Sequence, residues 1–503
     1  MNLMGLDIGT TGCKAQVINQ DGKRLGFSFR EYGVDTDSHG KAEQDAEAVW
    51  QAALEVIRQA ASQAGSSSIG ALSLSVQGDA IIPVNGNGKA IYPAILGMDY
   101  RSAAQADRCA RILGDRHLFN LTGMRPHPMN SLTKILLLRD ISPAVYNSAS
   151  RITTYADFIL GKLGAPGITD LTMASRTMAW DIEKGEWSEE ILHALDVNPG
   201  LFSEVVPSGS PVGTLAPKVA EYTGMSEKVI LGAGGHDQPC AALGSGVTGP
   251  GRGVASTGTA EVFSCAFKKA GNRDAFYKGF YPEYSYTLPE MRFTFSLNHV
   301  GGILLKWFRD NFCDAETRKS AETGVSAYKL LDERMPADPT KLFFLPHLNG
   351  SGTPWCDMDS RGALIGLTMN TNRHDVAKSI LESLTYELAM NLETMEGAGL
   401  EVNEIIAAGG GASSLPWLHL KADILNRPVI VPKNHEAGSL GAAILAGAAA
   451  GIWDPAEAAA GIARSEKTIE PQSGRVKIYR SRLETYRLIY PALKEVNRRI
   501  AYE

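Results

Sequence analysis

Apolar and polar residues alternate along three short stretches at the start of the chain, "LMGLDIG", "CKAQVIN" and "KRLGFSFREYG", with the two-residue period of half-buried strands. A Gly-Thr-Thr-Gly corner, Gly9 to Gly12, separates the first two, and "QDGK", with its Asp-Gly turn pair, separates the second and third. The pattern predicts a meander of hairpins. The period then changes. In "AEQDAEAVWQAALEVIRQAASQAG", Val49, Ala53, Val56, Ile57 and Ala60 recur at helical spacing, and Gly65 supplies a stop. "SIGALSLSVQG" returns to strand, so sheet alternates with helix. From about Arg101 to Glu227 the pattern is more helical and less regular, broken by Pro126, Pro128, Pro143, Pro166, Pro199, Pro207 and Pro211. This stretch is expected to be an insertion around the first sheet.

The pattern restarts near residue 230. "KVILGAGGHDQPCAALGSG" predicts strand, Gly turn and helix, and "GRGVASTGTAEVFSCAF" predicts strand, Gly-Thr corner and strand. "DIGTTG" and "STGTAE" thus look like one device used twice. Later, "NEIIAAGGGASSLPWLHLKADILNRPVIVP" gives strand, triple-Gly loop, helix and strand, and "EAGSLGAAILAGAAAG" gives a buried helix. Two similar α/β halves facing a central cleft explain the recurrence better than one long sheet. The boundary is expected near residue 250, with domains 1–250 and 251–503.

Composition narrows the function classes. The 503 residues, 44% hydrophobic and 21% charged, can bury a large core in two or more domains. A formal net charge of −6 with interspersed signs argues against a nucleic-acid or membrane-surface protein. The opening "MNLMGLDIG" has no basic segment, long apolar run or cleavage site of a secretory signal, so a cytoplasmic protein is expected. The apolar runs are too short to span a bilayer. Cys13, Cys109, Cys240, Cys265, Cys313 and Cys356 stand far apart with no CxxC pair, which fits a reduced compartment and a plain burial role.

The corners carry the candidate chemistry. A Walker loop opens a helix and carries Gly-Lys-Ser/Thr, whereas Gly9–Gly12 runs on into strand. A tight Gly/Thr turn still offers N–H groups and hydroxyls to phosphate oxygens. Asp7 beside it is suited either to a hydrated magnesium ion, which needs few protein carboxylates, or to accepting hydrogen bonds within the turn. In "GGHDQ", Asp237 lies at a strand-to-helix turn, placed either to accept a proton from a substrate hydroxyl or to cap the helix that follows. His236 is assigned a structural role. Neither HExxH nor GxSxG occurs, and "GSGVTG" is followed by Pro250 where a Rossmann helix would begin. "AAGGGASS", between a strand and a helix, suits either the close approach of a nucleotide or close helix–strand contact.

As a set, these segments resemble the FGGY family of carbohydrate kinases. "LDIGTTGCKAQVINQDG" is similar to the family's first phosphate hairpin, "GAGGHDQPCAALG" to its catalytic-Asp segment, "ASTGTAEVF" to its second phosphate hairpin, and "AAGGGASSLPWLHLKADILNRPV" to its adenosine segment. "GALIGLTMNTNRHDVAKSILESLTYE" satisfies the spacing of the family's C-terminal signature. "MNSLTKILLLRD" only approximates the first signature, with Leu137 in place of the usual Trp. The resemblance covers nearly the whole chain. It implies an α/β fold of two ribonuclease-H-like, actin-type domains, each a mixed sheet flanked by helices, around a central cleft.

By the same resemblance, Asp237 is the base and Asp7 the acid that orients Mg2+, through water. Thr10, Thr11, Gly258 and Thr259 contact the phosphates of ATP, and Gly410, Gly411 and Ser414 lie near its adenosine. "SVQGDA" aligns with the loop that holds polyol hydroxyls, where glycerol kinases carry Arg-Glu and xylulose kinases Met-His; here Gly78 and Asp79 stand. A small Gly78 is expected to leave room for a larger or differently oriented sugar, and Asp79 to accept two hydroxyl bonds. Asn130 and Gln238 join them as substrate residues, with Met129, Asp99, Arg101 and Asp157 ranked second. The expected activity is ATP-dependent phosphorylation of a small sugar or polyol, by an enzyme with no nucleic-acid or membrane partner and for which a homodimer is open. The alternatives are a sugar-binding regulator or degenerate kinase of the same fold, and a chaperone-type ATPase. The chain shows neither a helix-turn-helix start, a lost Asp237, nor room for a peptide-binding domain.

Overall fold

The computed structural model describes residues 1–434 and 436–502. Two compact units form: Met1–Thr248 with Pro282–Phe293 and Glu436–Ala463, and Gly249–Tyr281 with Thr294–His435 and Arg464–Glu503. In the first, β1 (Asn2–Ile8), β2 (Gly12–Ile18) and β3 (Arg24–Glu31) pair antiparallel in sequence order, and Ile8 faces Cys13 across the Gly-Thr-Thr-Gly corner. α1 (Ala46–Ala64) buries Val49, Ala53, Val56, Ile57 and Ala60, the positions whose spacing predicts it. Asp45 caps it by accepting from the Glu47 and Ala48 N–H groups, and Gly65 ends it at φ 80°. The helix returns the chain to Ile69–Val76, parallel to β1. The sheet then reads Pro211–Thr214, Ile230–Gly232, Ile69–Val76, β1, β2, β3, with Gly235–His236 also paired to Ile69–Val76. Between Arg101 and Glu227 the chain makes short helices and strands of two to four residues, as the broken pattern predicts.

The helix Ala437–Ala449 clusters with the first unit, although the sequence groups it with the second half. Its small residues give the reason. A Cβ on Gly5 would stand 1.8 Å from the Ser439 carbonyl oxygen, one on Gly441 1.9 Å from that of Cys240, and one on Gly244 2.0 Å from that of Ala437. Backbone therefore meets backbone, and "LGAAILAGAAAG" is a face cut for close approach. Gly5→Ala should destabilise by about 1–3 kcal/mol or more, because a carbonyl cannot yield as a flexible side chain can. A urea midpoint unchanged from the parent would refute this account.

The second unit repeats the device. Gly251–Thr257 and Glu261–Phe267 form an antiparallel hairpin with Thr257 opposite Glu261. On its other side Gly251–Thr257 runs parallel to Val402–Gly409, followed by Val429–Pro432 and the antiparallel Ser465–Ile469. Hairpin plus parallel neighbour is thus common to both units. Five cysteines are buried as expected, but Cys356 is exposed, in a loop at φ 47°. Among the described residues no helix is long and apolar enough to cross a membrane.

Candidate functional site

In the first unit, the corner between β1 and β2 is braced from below. The Gly9 N–H donates to Gly12 O at 2.9 Å, and Gly9 O accepts from the Tyr32 hydroxyl at 2.7 Å. Gln44 donates to Thr10 O, Thr10 Oγ1 donates to Gln77 Oε1, and Tyr155 donates to Gln44 Oε1. Thr10 is half-buried and Thr11 exposed at the crest. Asp7, on β1, accepts from Ser75 Oγ at 2.6 Å and lies 3.8 Å from Lys14 Nζ, which Glu436 also pairs at 2.7 Å. Burial pushes the Asp7 carboxyl above its ordinary range, more than Ser75 and Lys14 lower it. Gly438, in the first turn of Ala437–Ala449, comes so near that a Cβ would stand 2.9 Å from Asp7 Oδ1.

This carboxylate can hold a magnesium ion of one kind only. No group of three or more His, Cys, Asp or Glu side chains gathers as a metal cage among the described residues. A single desolvated acid, short of positive charge, suits an ion that keeps its waters and takes its other ligands from phosphate.

Asp237 opens the helix Asp237–Gly244, but it is not the cap: His236 holds that position, with no side-chain capping bond. The expected alternative of a structural N-cap is thereby corrected. The Asp237 side chain is about one third exposed at 32%. Burial, then the charge of Asp7, pushes its carboxyl up to about 7, against the opposing pull of the Gln238 N–H and Arg176. A carboxyl near neutrality, raised by desolvation and like charge, is what proton acceptance from a hydroxyl needs. His236 lies 3.2 Å from Asp237 Oδ1 through Nε2.

The polyol loop differs from expectation at both residues. Gly78 leaves no room: a Cβ there would meet His236 Nε2 at 2.5 Å, so the imidazole already fills the space. Asp79, at φ 65°, is buried and gives Oδ2 to the Arg176 guanidinium, which lies over the Tyr284 ring. Its Oδ1 has no hydrogen-bond partner among the described residues. One oxygen, not two, is therefore left for a hydroxyl. Sequence reading missed Arg176 because it stands 97 residues away in "TMASRT".

Of the remaining candidates, Asn130 is buried and accepts from the His127 N–H at 2.8 Å, beside Ser131, whose hydroxyl donates to Asp79 O. Gln238 is half-buried in the first turn of the helix Asp237–Gly244. Met129 Sδ lies 3.4 Å from the Arg176 guanidinium. Asp99 is fully buried and accepts from the Ala42 N–H and from Arg101, which also pairs with Glu43, so both brace a loop. Asp157 belongs to a capping box with Thr154 and accepts from Ser203. Its role is structural. Lys134, unnoticed in the sequence, is fully buried; its Nζ donates to the Pro128 and Met129 carbonyls, and burial lowers it to about 7.

In the second unit Gly258 and Thr259 are exposed at the hairpin crest, and a Cβ on Gly258 would meet nothing. The Gly301 and Gly302 N–H groups tie the crest down by donating to Thr259 O and Gly258 O. Gly410 and Gly411 form a tight turn against the hairpin root, where a Cβ on Gly411 would stand 2.7 Å from that of Thr257. Ser414 caps the helix Leu415–Leu425 by accepting from the Trp417 N–H, and donates to Asp332 Oδ2 at 2.9 Å. Beneath the hairpin, Lys421 Nζ bonds Thr257 Oγ1 at 2.8 Å and Glu261 Oε1 at 2.9 Å.

The chain is similar to known proteins over nearly its whole length. The family model for the FGGY family of carbohydrate kinases matches in two parts, its N-terminal domain over residues 2–244 and its C-terminal domain over 253–450. A xylulose kinase of Bacillus subtilis (strain 168) is 28% identical over 498 residues, 98% of this chain and 98% of its own length. A glycerol kinase of Bordetella parapertussis is 30% identical over 490 residues, 93% of this chain and 92% of that one. The crystal structure of a "xyloylose kinase" from Brucella ovis superposes with a TM-score of 0.89 at 25% identity, covering 99% of this chain and all of the other. The expected α/β fold of two actin-type domains is the fold of these neighbours.

Proposed function

We propose that this chain, which belongs to the FGGY family of carbohydrate kinases, transfers the terminal phosphoryl group of ATP to a hydroxyl of a small sugar or polyol, with Asp237 as the base. The observation that carries the reading is the Asp237 carboxyl, desolvated beside Asp7 and raised to about 7 at the start of its helix. The substrate oxygen forms the new bond to phosphorus, the bond from the terminal phosphorus to its bridging oxygen breaks, and ADP departs with that electron pair. The hydroxyl proton passes to Asp237. Positioning and electrostatic neutralisation supply most of the rate in such transfers. Asp7 would hold a hydrated magnesium ion, which would supply neutralisation of the phosphate charge.

Thr10 and Thr11 in the first unit, and Gly258 and Thr259 in the second, offer hydroxyls and N–H groups to phosphate oxygens from exposed crests. Gly410, Gly411 and Ser414 form the adenosine side, where the tight turn lets a flat ring approach backbone. Asp79 Oδ1, Asn130 and Gln238 are the sugar contacts. The names of the relatives divide among xylulose, gluconate and glycerol, and Gly78-Asp79 matches the polyol loop of neither xylulose nor glycerol kinases, so the acceptor is a small polyhydroxy compound chosen by this loop.

The direct test couples ADP release to NADH oxidation across a panel of ketoses, aldoses, polyols and sugar acids. Sugar-dependent ADP release by at least one acceptor is expected; release by none would leave a degenerate binding protein as the better reading. With that acceptor, Asp79→Asn should raise the KM for sugar and leave the KM for ATP nearly unchanged. Equal loss of ATP affinity would show that the loop has been misplaced.

A further inference from the structure

His236 is a buried group of the catalytic turn for which the transfer step above has no use. Its ring is nevertheless held on every side. Nε2 lies 3.2 Å from Asp237 Oδ1, and Nδ1 lies 3.2 Å from the Tyr284 hydroxyl. The Tyr284 ring meets it edge-on at 5.7 Å. Its backbone N–H donates to Thr172 Oγ1 at 2.7 Å, and Thr172 is fixed in turn by Asp170. The last side is Gly78, where a Cβ would stand 2.5 Å from Nε2 and 2.6 Å from Cδ2. A side chain at 78 and an imidazole at 236 exclude one another.

We propose that His236 is a positioning residue for Asp237, its Nε2–H held toward the carboxylate by the Tyr284 hydroxyl, and that position 78 is glycine to admit this ring. The proposal rests on Asp237 being the base. Two acceptors do not face each other at this distance, so an ionised Asp237 selects the tautomer with hydrogen on Nε2. Nδ1 then accepts from Tyr284. Burial and the Arg176 guanidinium keep the imidazole from taking a second proton, and burial keeps the phenol protonated. The proposed direction of donation runs from Tyr284 to His236 Nδ1 and from His236 Nε2 toward Asp237 Oδ1, 3.2 Å away.

The other groups facing Asp237 are Asp7 on β1, Asp79 after Ile69–Val76, Arg176 on Leu171–Arg176, and the Cys240 thiol on its own helix. Asp7 and Asp79 favour its protonated form, and Arg176 opposes them. A hydrogen bond donated to the carboxylate also favours the ionised form. His236 thus aims one oxygen and keeps the base available at lower pH.

Tyr284→Phe keeps the ring and removes the hydroxyl that holds Nδ1. With Mg-ATP and the acceptor chosen by the panel, the acid limb of kcat/KM should move up by about one pH unit, the size of a hydrogen bond to a charged group. The rate above the limb and the KM for ATP should stay within about twofold. A merely structural tyrosine would instead lower the rate equally at every pH, and that result would overturn the proposal. Nitrogen NMR of the unliganded enzyme gives a second readout, independent of the acceptor. At about pH 8, where Asp237 is ionised, His236 should be neutral with hydrogen on Nε2, and its Nδ1 signal should shift in Tyr284→Phe, which leaves that nitrogen without its donor. A hydrogen on Nδ1 in the parent refutes it. Gly78→Ala should shift the acid limb, yet add no further shift in a His236→Ala background; an equal shift in both backgrounds also refutes it. None of these failures mimics failure of the base assignment, in which Asp237→Asn remains active.

Discussion

Asp237→Asn should lower turnover by at least about a hundredfold without lowering the melting temperature. General-base help is worth about 10²–10⁴-fold, and Asn matches Asp in size while lacking the proton acceptor. The structure bears on the stability half of this expectation: His236, not Asp237, holds the N-cap position, and Asn can still accept from the Gln238 N–H. Its folded carboxyl titrates at about 7 against an ordinary 3.8. Between those values the unfolded chain gives up its proton while the folded one keeps it, so stability falls as pH rises through this window and stays lower above about 7. Asn removes that penalty. The variant should melt at or above the parent temperature at pH 8, and the gap should close as pH falls toward about 4. Turnover and melting measured together at both pH values decide the matter. A fully active Asn variant would sink the catalytic assignment, and a variant that melts far lower at pH 8 would show a structural role instead.

What the sequence made legible was local. The hairpins, α1 and the position of Asp237 at a strand-to-helix turn follow from periods and turn residues within about twenty positions. The recurrence of the Gly/Thr corner showed two similar halves. What it hid lay in pairings between distant segments. Arg176 neutralises Asp79 across 97 residues, and Tyr284 reaches His236 across 48. No spacing rule reveals such partners, since buried charges are matched in space. Gly78 is the instructive error. Absence of a side chain reads as an open pocket until the neighbour that occupies the space is seen. The helix Ala437–Ala449 misled for a related reason: its Gly and Ala signal close contact, but not with which strand.

Lys421→Met should destabilise the protein by about 3–5 kcal/mol, because it leaves a buried carboxylate without its cation. The Lys421 and Glu261 side chains are 2% and 0% exposed, and their contact at 2.9 Å ties the helix Leu415–Leu425 to the hairpin Gly251–Thr257 and Glu261–Phe267. Glu261 accepts otherwise only from Thr257 Oγ1, and its Oε2 has no hydrogen-bond partner among the described residues. The Glu261 side chain is closed to solvent that could replace the ammonium. The loss should lower the melting temperature by on the order of 10 °C. Replacing both partners by apolar residues of similar volume is often close to neutral, so Glu261→Leu in the same chain should recover most of the loss. The KM for ATP should not recover with it. Thr257 anchors the crest that carries Gly258 and Thr259, and both of its polar partners, Lys421 and Glu261, are absent from the double variant. Recovery of stability with ATP binding still impaired would separate the two duties of this pair. A Lys421→Met chain that melts within about 1 °C of the parent would mean that the ion pair is not what holds the hairpin in place.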